Sequence, residues 1–243
     1  MRLADHTVLI TGATRGIGRA LTDHLTGLGA HVVAVGRNPS PPYGDRVTSY
    51  RVDLADPAAV DAFTDMVTTR HPDLSIVINN AAVQENADLL AGDPGDLRPA
   101  LRREIAVNLD AVVTLCTGLL PHLRRQSDAA IVNVTTGLAL APKRTAPVYC
   151  ATKAGVRTFT RALRYQCEHT APHIRVTEAM MPLVDTDMTR GRGTGKISPS
   201  AAAAALIDGL RRGRPEIHIG KTRLLPALMR LSPSLGYRLL RDS

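Results

Sequence analysis

Short runs of consecutive apolar residues alternate along the chain with longer stretches in which apolar positions recur every three or four residues. The short runs lack the in-out alternation of a half-solvated sheet, so they predict strands buried on both faces, and the longer stretches predict the helices that cover them. The predicted order is strand 7–10, helix 16–28, strand 31–35, strand 47–52, a helix opening at Asp56-Pro57, strand 75–79, and a long helix ending near Arg125. Strand 130–135, helix 147–169, strand 174–179, a loop, a helix opening at Ser198-Pro199 and a short strand 216–219 complete it. Asp56 supplies an N-cap acceptor, and Pro57 brings the right φ to the first helical position. Strands and helices that alternate in this way predict an α/β chain with a seven-stranded, mainly parallel sheet flanked by helices. One domain is expected over residues 1–243, with 221–243 as a C-terminal tail. The Pro- and Gly-rich pieces 38–44 and 189–195 are expected to be loops rather than linkers.

Composition changes this picture in two respects. Hydrophobic residues make up 44%, yet Trp is absent and Phe occurs twice, so the core must be built from Val, Leu, Ile and Ala. Cys116, Cys150 and Cys167 show neither CxxC nor zinc-finger spacing, so no disulfide framework and no metal site is expected, and a reducing, cytoplasmic setting is. The first strand is predicted to begin soon after Met1, so no cleaved leader is expected. No apolar run near the roughly 20 residues of a membrane span stands out, so no integral membrane contact is expected. The net charge of +8 comes from scattered basic residues without interleaved aromatics, so no nucleic-acid partner is expected either. A small phosphorylated ligand is the better match for part of that charge.

The first strand runs into Thr11-Gly12-Ala13-Thr14-Arg15-Gly16-Ile17-Gly18 and then a helix. Glycines there let the backbone turn sharply and approach a pyrophosphate, while the helix N-terminus offers unpaired N–H groups. A plain strand-to-helix turn would also use glycine, but a turn at the first βα junction is where a doubly wound Rossmann fold binds its dinucleotide. Chains that bind NAD usually place an acid at the end of the second strand; here no acid occurs between Asp23 and Asp45, and Gly36-Arg37 stands in its place. Arg15 and Arg37 without a competing carboxylate suit the 2′-phosphate of NADP(H), with NAD(H) the less favoured cofactor, although two solvated arginines are the plainer reading. The stretch 191–196 is only superficially like a P-loop, since no strand precedes it and Ile197 follows Lys196, so a surface loop is expected.

Tyr149 and Lys153 lie one turn apart at the start of a predicted helix and share a face. An ammonium beside a phenol favours phenolate, which predicts a Tyr149 pKa below its ordinary value of about 10 and a residue able to exchange a proton with an alcohol or carbonyl oxygen. The four-residue spacing is common by chance, and the ordered set around it carries the weight. Thr136, at the end of the fifth strand, can aim a hydroxyl at the same oxygen; Asn108 lies within the preceding long helix, and Asn79-Asn80 ends the fourth strand. Each has a plainer reading: Thr136 as a strand-end hydrogen bonder, Asn108 as a helix-distorting backbone partner, Asn79 and Asn80 as turn formers.

The TGxxxGxG loop at 11–18, Asp53 after the third strand, Asn79-Asn80-Ala81-Ala82, Asn108, Thr135-Thr136 and Tyr149-x-x-x-Lys153 occur in the order and spacing of one family. From about residue 5 to 220 the chain resembles a short-chain dehydrogenase/reductase. The resemblance implies cofactor contacts from Gly12, Thr14, Arg15, Gly16, Ile17, Gly18 and Arg37, from Asp53 to the adenine amino group, and from Leu54. It also implies contacts from Asn80 and Ala81 near the nicotinamide-side ribose, from Val184 and Thr186 to the carboxamide, and from Tyr149 and Lys153. The implied catalytic set is Asn108, Thr136, Tyr149 and Lys153, with Asn108 holding a water that links Lys153 to solvent. The implied activity is hydride transfer between NADP(H) and a small-molecule carbonyl or alcohol, in a homodimer or homotetramer. Three positions depart from the family pattern. Thr136 replaces a serine and adds a methyl that narrows the pocket; Ala82 replaces a glycine; Met181-Pro182 replaces Pro-Gly, fixing φ where glycine was free. Residues 184–188 and 195–199 are similar to an oxidoreductase-like subgroup named after the teichoic-acid D-alanylation operon.

Leu138, Ala139, Leu140, Met180, Met181, Leu183 and Met188 flank the expected site and suggest a substrate with a hydrocarbon portion, although core packing explains part of the set. Gln84, Glu85 and Asn86 add polar groups after the fourth strand. Leu224, Leu225, Leu228 and Met229 fall at helical spacing within 224–240 and are expected to pack on the body or a neighbouring subunit, with a membrane surface as the alternative. Two rival functions stand beside the reductase: a non-catalytic NADP(H)-binding sensor, prompted by Thr136 and Met181-Pro182, and a basic binding module that has kept the fold.

Overall fold

A computed structural model describes residues 1–38 and 44–242, so most of the loop expected over 38–44 lies outside the described residues. Among those described, seven strands form one sheet: β1 (Thr7–Thr11), β2 (His31–Gly36), β3 (Val47–Arg51), β4 (Leu74–Asn79), β5 (Ala129–Thr136), β6 (Ile174–Met181) and β7 (Glu216–His218). Their order is β3-β2-β1-β4-β5-β6-β7 and every pairing is parallel, the doubly wound Rossmann arrangement. Helices α1 (Gly16–Gly27) and α6 (Pro199–Arg211) cover one face; α2 (Pro57–Arg70), α4 (Ala111–Leu123) and α5 (Pro147–Thr170) cover the other. Successive strand residues point to opposite faces, so the continuous apolar runs feed two cores at once. Leu9 packs with Val60, Phe63, Leu115 and Val156, while its neighbours Val8 and Ile10 pack with Leu21, Leu25, Leu206 and Leu210. Asp56 caps α2 by accepting from the N–H groups of Ala58 and Ala59, and Ser198 caps α6 by accepting from Ala201.

Between β1 and β4 the strand order changes direction, which opens a crevice at their carboxyl ends. The long helix expected to end near Arg125 is α3 (Pro94–Ile105), a single π-helical turn (Ala106–Asp110) and α4. Contrary to the sequence expectation, this 94–123 helix is long and apolar enough to cross a membrane by length and composition alone. Its apolar side is spent on the core, where Leu115, Cys116, Leu119 and Leu123 are buried. The stretch 224–240 is not one helix but two, α7 (Leu225–Leu231) and α8 (Pro233–Leu240), because Pro233 drives Ser232 into an extended conformation with φ of −150°. The pair folds back on the chain's own body: Leu225 is buried beside Gly137, the Arg144 N–H donates to the carbonyl of Arg241 at 2.8 Å, and the Arg144 guanidinium pairs with Asp242 at 3.1 Å.

Candidate active site

The turn after β1 is built on glycine for steric reasons. Gly12 and Gly16 adopt φ of +65° and +54°, and a Cβ on Gly18 would stand 2.0 Å from the carbonyl oxygen of Gly12. The missing side chains let α1 begin against the end of β1. Arg15, at its N-cap, makes no side-chain capping bond to the first-turn N–H groups. A Cβ on Gly16 would lie 3.1 Å from Cγ2 of Thr186 on the loop after β6, so the glycine keeps that gap open. Asn80 braces the crevice: its amide donates to the Thr11 carbonyl at 2.9 Å, and the Thr11 hydroxyl oxygen accepts from the backbone N–H groups of Asn80 and Ala81, both at 3.0 Å.

Above this turn lies a cleft of about 320 Å³. Gly12, Thr14, Arg15, Gly16 and Ile17 line it from the turn, Arg37 from the end of β2, and Asp53 and Leu54 from beyond β3. Asn80 and Ala81 line it after β4, Thr136 after β5, Tyr149 and Lys153 from α5, and Val184 and Thr186 after β6. Two expected site residues stand outside the lining: Gly18, beneath the turn against Gly12, and Asn108, on the π-turn. Of the flanking apolar residues, Met181 and Met188 reach the cleft, whereas Met180 is fully buried. The cleft also takes residues that sequence reasoning missed. Arg103 of α3 pairs with Asp53 at 3.3 Å, and Arg51, the last residue of β3, joins Arg37, Asn38 and Asp53 around a second, polar pocket at the same edge. Arg51 comes beside Arg37 only through the pairing of β2 with β3, and nothing in the sequence marks Arg103. The N–H of Ala55, then the Arg103 and Arg37 guanidiniums, hold the Asp53 carboxyl below its ordinary pKa against some desolvation.

Tyr149 and Lys153 lie in the first two turns of α5, and both are buried at the cleft wall. The Lys153 ammonium donates to the carbonyl of Val134 at 3.0 Å, and burial pulls its pKa down to about 8. The expectation of a lowered Tyr149 pKa is overturned. Desolvation raises the phenol, the charges of Cys150 and Glu104 add to the rise, and the opposing pull comes from Arg192. In this buried wall the cost of an ionised ring oxygen sets the direction, and the Lys153 ammonium is turned to the Val134 carbonyl. The Thr136 hydroxyl oxygen accepts from the N–H of Leu138 at 3.4 Å, the strand-end role, yet stays on the cleft with its own proton free to donate. Asn108 is a backbone partner of the segment after β4, for its side chain accepts from the Val83 N–H at 2.9 Å and donates to the Val83 carbonyl at 2.8 Å. Asn79 points into the core, donating to the side-chain oxygen of Asn133 at 2.8 Å.

A parallel sheet with its glycine turn at the switch point, and a tyrosine and lysine on the adjoining wall, defines a class of dinucleotide-binding enzymes. The chain matches the short chain dehydrogenase family over residues 6–196 and belongs to it. Within that family it stands near the uncharacterized oxidoreductase DltE of Bacillus subtilis (strain 168), with 34% identity over 233 residues and 89% of each chain covered. The meso-2,3-butanediol dehydrogenase of Serratia marcescens is 30% identical over 198 residues, covering 79% of this chain and 76% of that one. Among solved structures, a short chain dehydrogenase from Burkholderia cenocepacia J2315 in complex with NADP superposes over 100% of both chains, with a TM-score of 0.87 and 26% identity.

Proposed function

We propose that the chain is an NADP(H)-dependent oxidoreductase that interconverts a carbonyl compound and its alcohol, with Tyr149 as the proton-transferring residue. The observation that carries this reading is the convergence of Tyr149, Lys153 and Thr136 on the same cleft as the glycine turn. A dinucleotide fits the residues present. The open N–H groups of α1 suit a pyrophosphate, Arg15, Arg37 and Arg51 suit a 2′-phosphate, and Val184 and Thr186 suit the nicotinamide end. When bound, the nicotinamide supplies or accepts the hydride.

The chain's own residues supply the proton and the field. Burial holds Tyr149 in its neutral form, so in the reductive direction its hydroxyl donates to the carbonyl oxygen as negative charge gathers there. The Lys153 ammonium, still largely charged at neutral pH, stabilises the phenolate that results. Thr136 donates its free proton to the same oxygen and fixes its position. Alcohol oxidation runs the same path backwards, with the phenolate accepting the proton.

Loss of NADPH absorbance is followed against a panel of small aldehydes and ketones. Turnover is expected for the intact chain; Tyr149→Phe is expected to lower kcat by a factor of at least about 10² while NADPH binding persists. Unchanged turnover in that variant removes the mechanism, and cofactor binding without turnover of any carbonyl assigns the chain to a sensing role instead.

A further inference from the structure

Near Tyr149, three chain segments supply residues that are not among those lining the cofactor cleft: Gln84, Lys143 and Arg192. Lys143, in the loop between β5 and α5, is 7% exposed. Its backbone N–H donates to Sγ of Cys150 at 3.4 Å, which ties the loop to the residue next to Tyr149. Among the described residues no carboxylate is ion-paired with the Lys143 ammonium. Arg192, in the loop after β6, reaches across and donates to Oε1 of Gln84 at 2.7 Å. Gln84, in the segment after β4, keeps its amide nitrogen buried without a hydrogen-bond partner. Three segments leaving three adjacent strands thus bring an ammonium, a guanidinium and an unsatisfied N–H₂ into one neighbourhood, and every one of these groups is a donor.

We infer that Lys143 and Arg192 recognise an anionic group, a carboxylate or a phosphate, carried by the substrate a few bonds from its reacting carbon, with the Gln84 amide as a further donor. This deepens the oxidoreductase reading and rests on it for the word substrate. A buried ammonium without a counter-charge is costly to the fold, and a ligand that supplies the missing charge offsets that cost. The electrostatics agree. Burial draws the Lys143 pKa below its ordinary 10.5, and the Arg192 charge lowers it further; the opposing influence is Cys150. Arg192 also lies close enough to bear on the Tyr149 phenol. Two acids stand in this neighbourhood, Glu85 beside Gln84 and Glu104, and among the described residues neither is ion-paired with Lys143 or Arg192; the Glu85 charge acts on Glu104. Glu104 is fully buried, accepts from the Glu85 N–H at 3.1 Å, and leaves Oε2 without a partner. Desolvation raises its pKa toward the neutral form, in which it offers a proton rather than a charge.

The experiment uses the full chain loaded with NADPH and matched probes: 3-oxobutanoate and 4-oxopentanoate, each against its methyl ester, and hydroxyacetone phosphate against hydroxyacetone. Affinity is measured by calorimetric titration and turnover by NADPH absorbance. At least one ionised probe is expected to bind about tenfold or more tightly than its uncharged partner, the size of one charge-assisted contact. That ratio is expected to fall toward one in Lys143→Met and in Arg192→Met, and to return in Lys143→Arg. Equal or better binding of every uncharged partner, or a preference that survives both Met variants, overturns the inference. The acid and phosphate arms tell which anion the site takes. Turnover of esters and hydroxyacetone with no anion preference sinks the anion site alone; an anion preference in binding with no turnover of any probe keeps the site and sinks the oxidoreductase reading.

Discussion

Arg37 and Arg51 show what a single residue can decide here. Arg37 follows the last residue of β2, and Arg51 is the last residue of β3, paired in register with Gly36. Both residues therefore stand at one edge of the cleft, around a pocket that Asn38 and Asp53 also line. If they grip a 2′-phosphate, each makes a charge-assisted contact worth about 1.5–3 kcal/mol, or about ten- to hundredfold in affinity. Arg37→Ala and Arg51→Ala are each expected to weaken NADPH by such a factor, with NADH held to within about twofold, as read by titrating each cofactor's fluorescence. Equal losses for both cofactors would remove the phosphate assignment. Arg37 was legible because it directly follows an apolar run. Arg51 was not, because only the parallel pairing of β2 with β3 brings it beside Arg37. The phenol of Tyr149 failed for a different reason. Spacing reveals that an ammonium is near, but the sign of the pKa shift depends on burial, which spacing does not report.

At the scale of elements, the helix over 94–123 carries a turn that no propensity announces. Five residues, Ala106–Asp110, wind as a π-helix, and Asn108 sits in their middle, clamping both backbone groups of Val83. Only an amide side chain offers a donor and an acceptor at that reach, so it takes the place of the strand neighbour that the segment after β4 lacks. Asn108→Ala strands both Val83 groups, each at about 1–3 kcal/mol. A loss of about 3 kcal/mol is expected by chemical denaturation, equivalent to roughly 6–12 °C in Tm for a chain of this size. Asn108→Asp keeps the acceptor but sets an oxygen against the Val83 carbonyl, and is expected to lie nearer the Ala variant than the parent. A loss below about 1 kcal/mol in both would mean the clamp is incidental. Elsewhere the elements were readable to within a residue or two, since parallel strands buried on both faces read as unbroken apolar runs and Asp56 and Ser198 are caps with a mechanism. The division of the tail into two helices was not legible, because helical spacing of leucines persists through Ser232, and Pro233 breaks the backbone without breaking the pattern.

For the molecule as a whole, the buried titratable groups set how stability responds to pH, and two opposing sets meet above neutrality. Lys153 has a folded pKa of about 8 against an ordinary 10.5, so between those values the unfolded chain holds a proton that the folded chain has shed, and stability rises with pH. The thiol of Cys116 runs the other way: burial lifts it from 9.0 to about 12, so above pH 9 the unfolded chain loses a proton that the folded one keeps, and stability falls. Cys150, Cys167 and Tyr149 are all raised as well and join the fall. Tm is therefore expected to climb from about pH 8 to about pH 9 and then decline. The slope from one group is at most about 1.4 kcal/mol per pH unit, so the climb is a few degrees. The Lys143 pKa is lowered in the same direction, so a variant with both Lys143→Met and Lys153→Met is expected to abolish the climb, leave the decline, and raise Tm at pH 7, because it removes buried charges that the fold alone disfavours. Scanning calorimetry of the two chains from pH 7 to 10 decides it; a flat or falling Tm in the parent between pH 8 and 9, or a climb that survives in the variant, rules the account out. On the proposed mechanism, such a variant is a more stable protein without the charge that stabilises the phenolate. That trade identifies the Lys153 charge as something kept for the cleft rather than for the core.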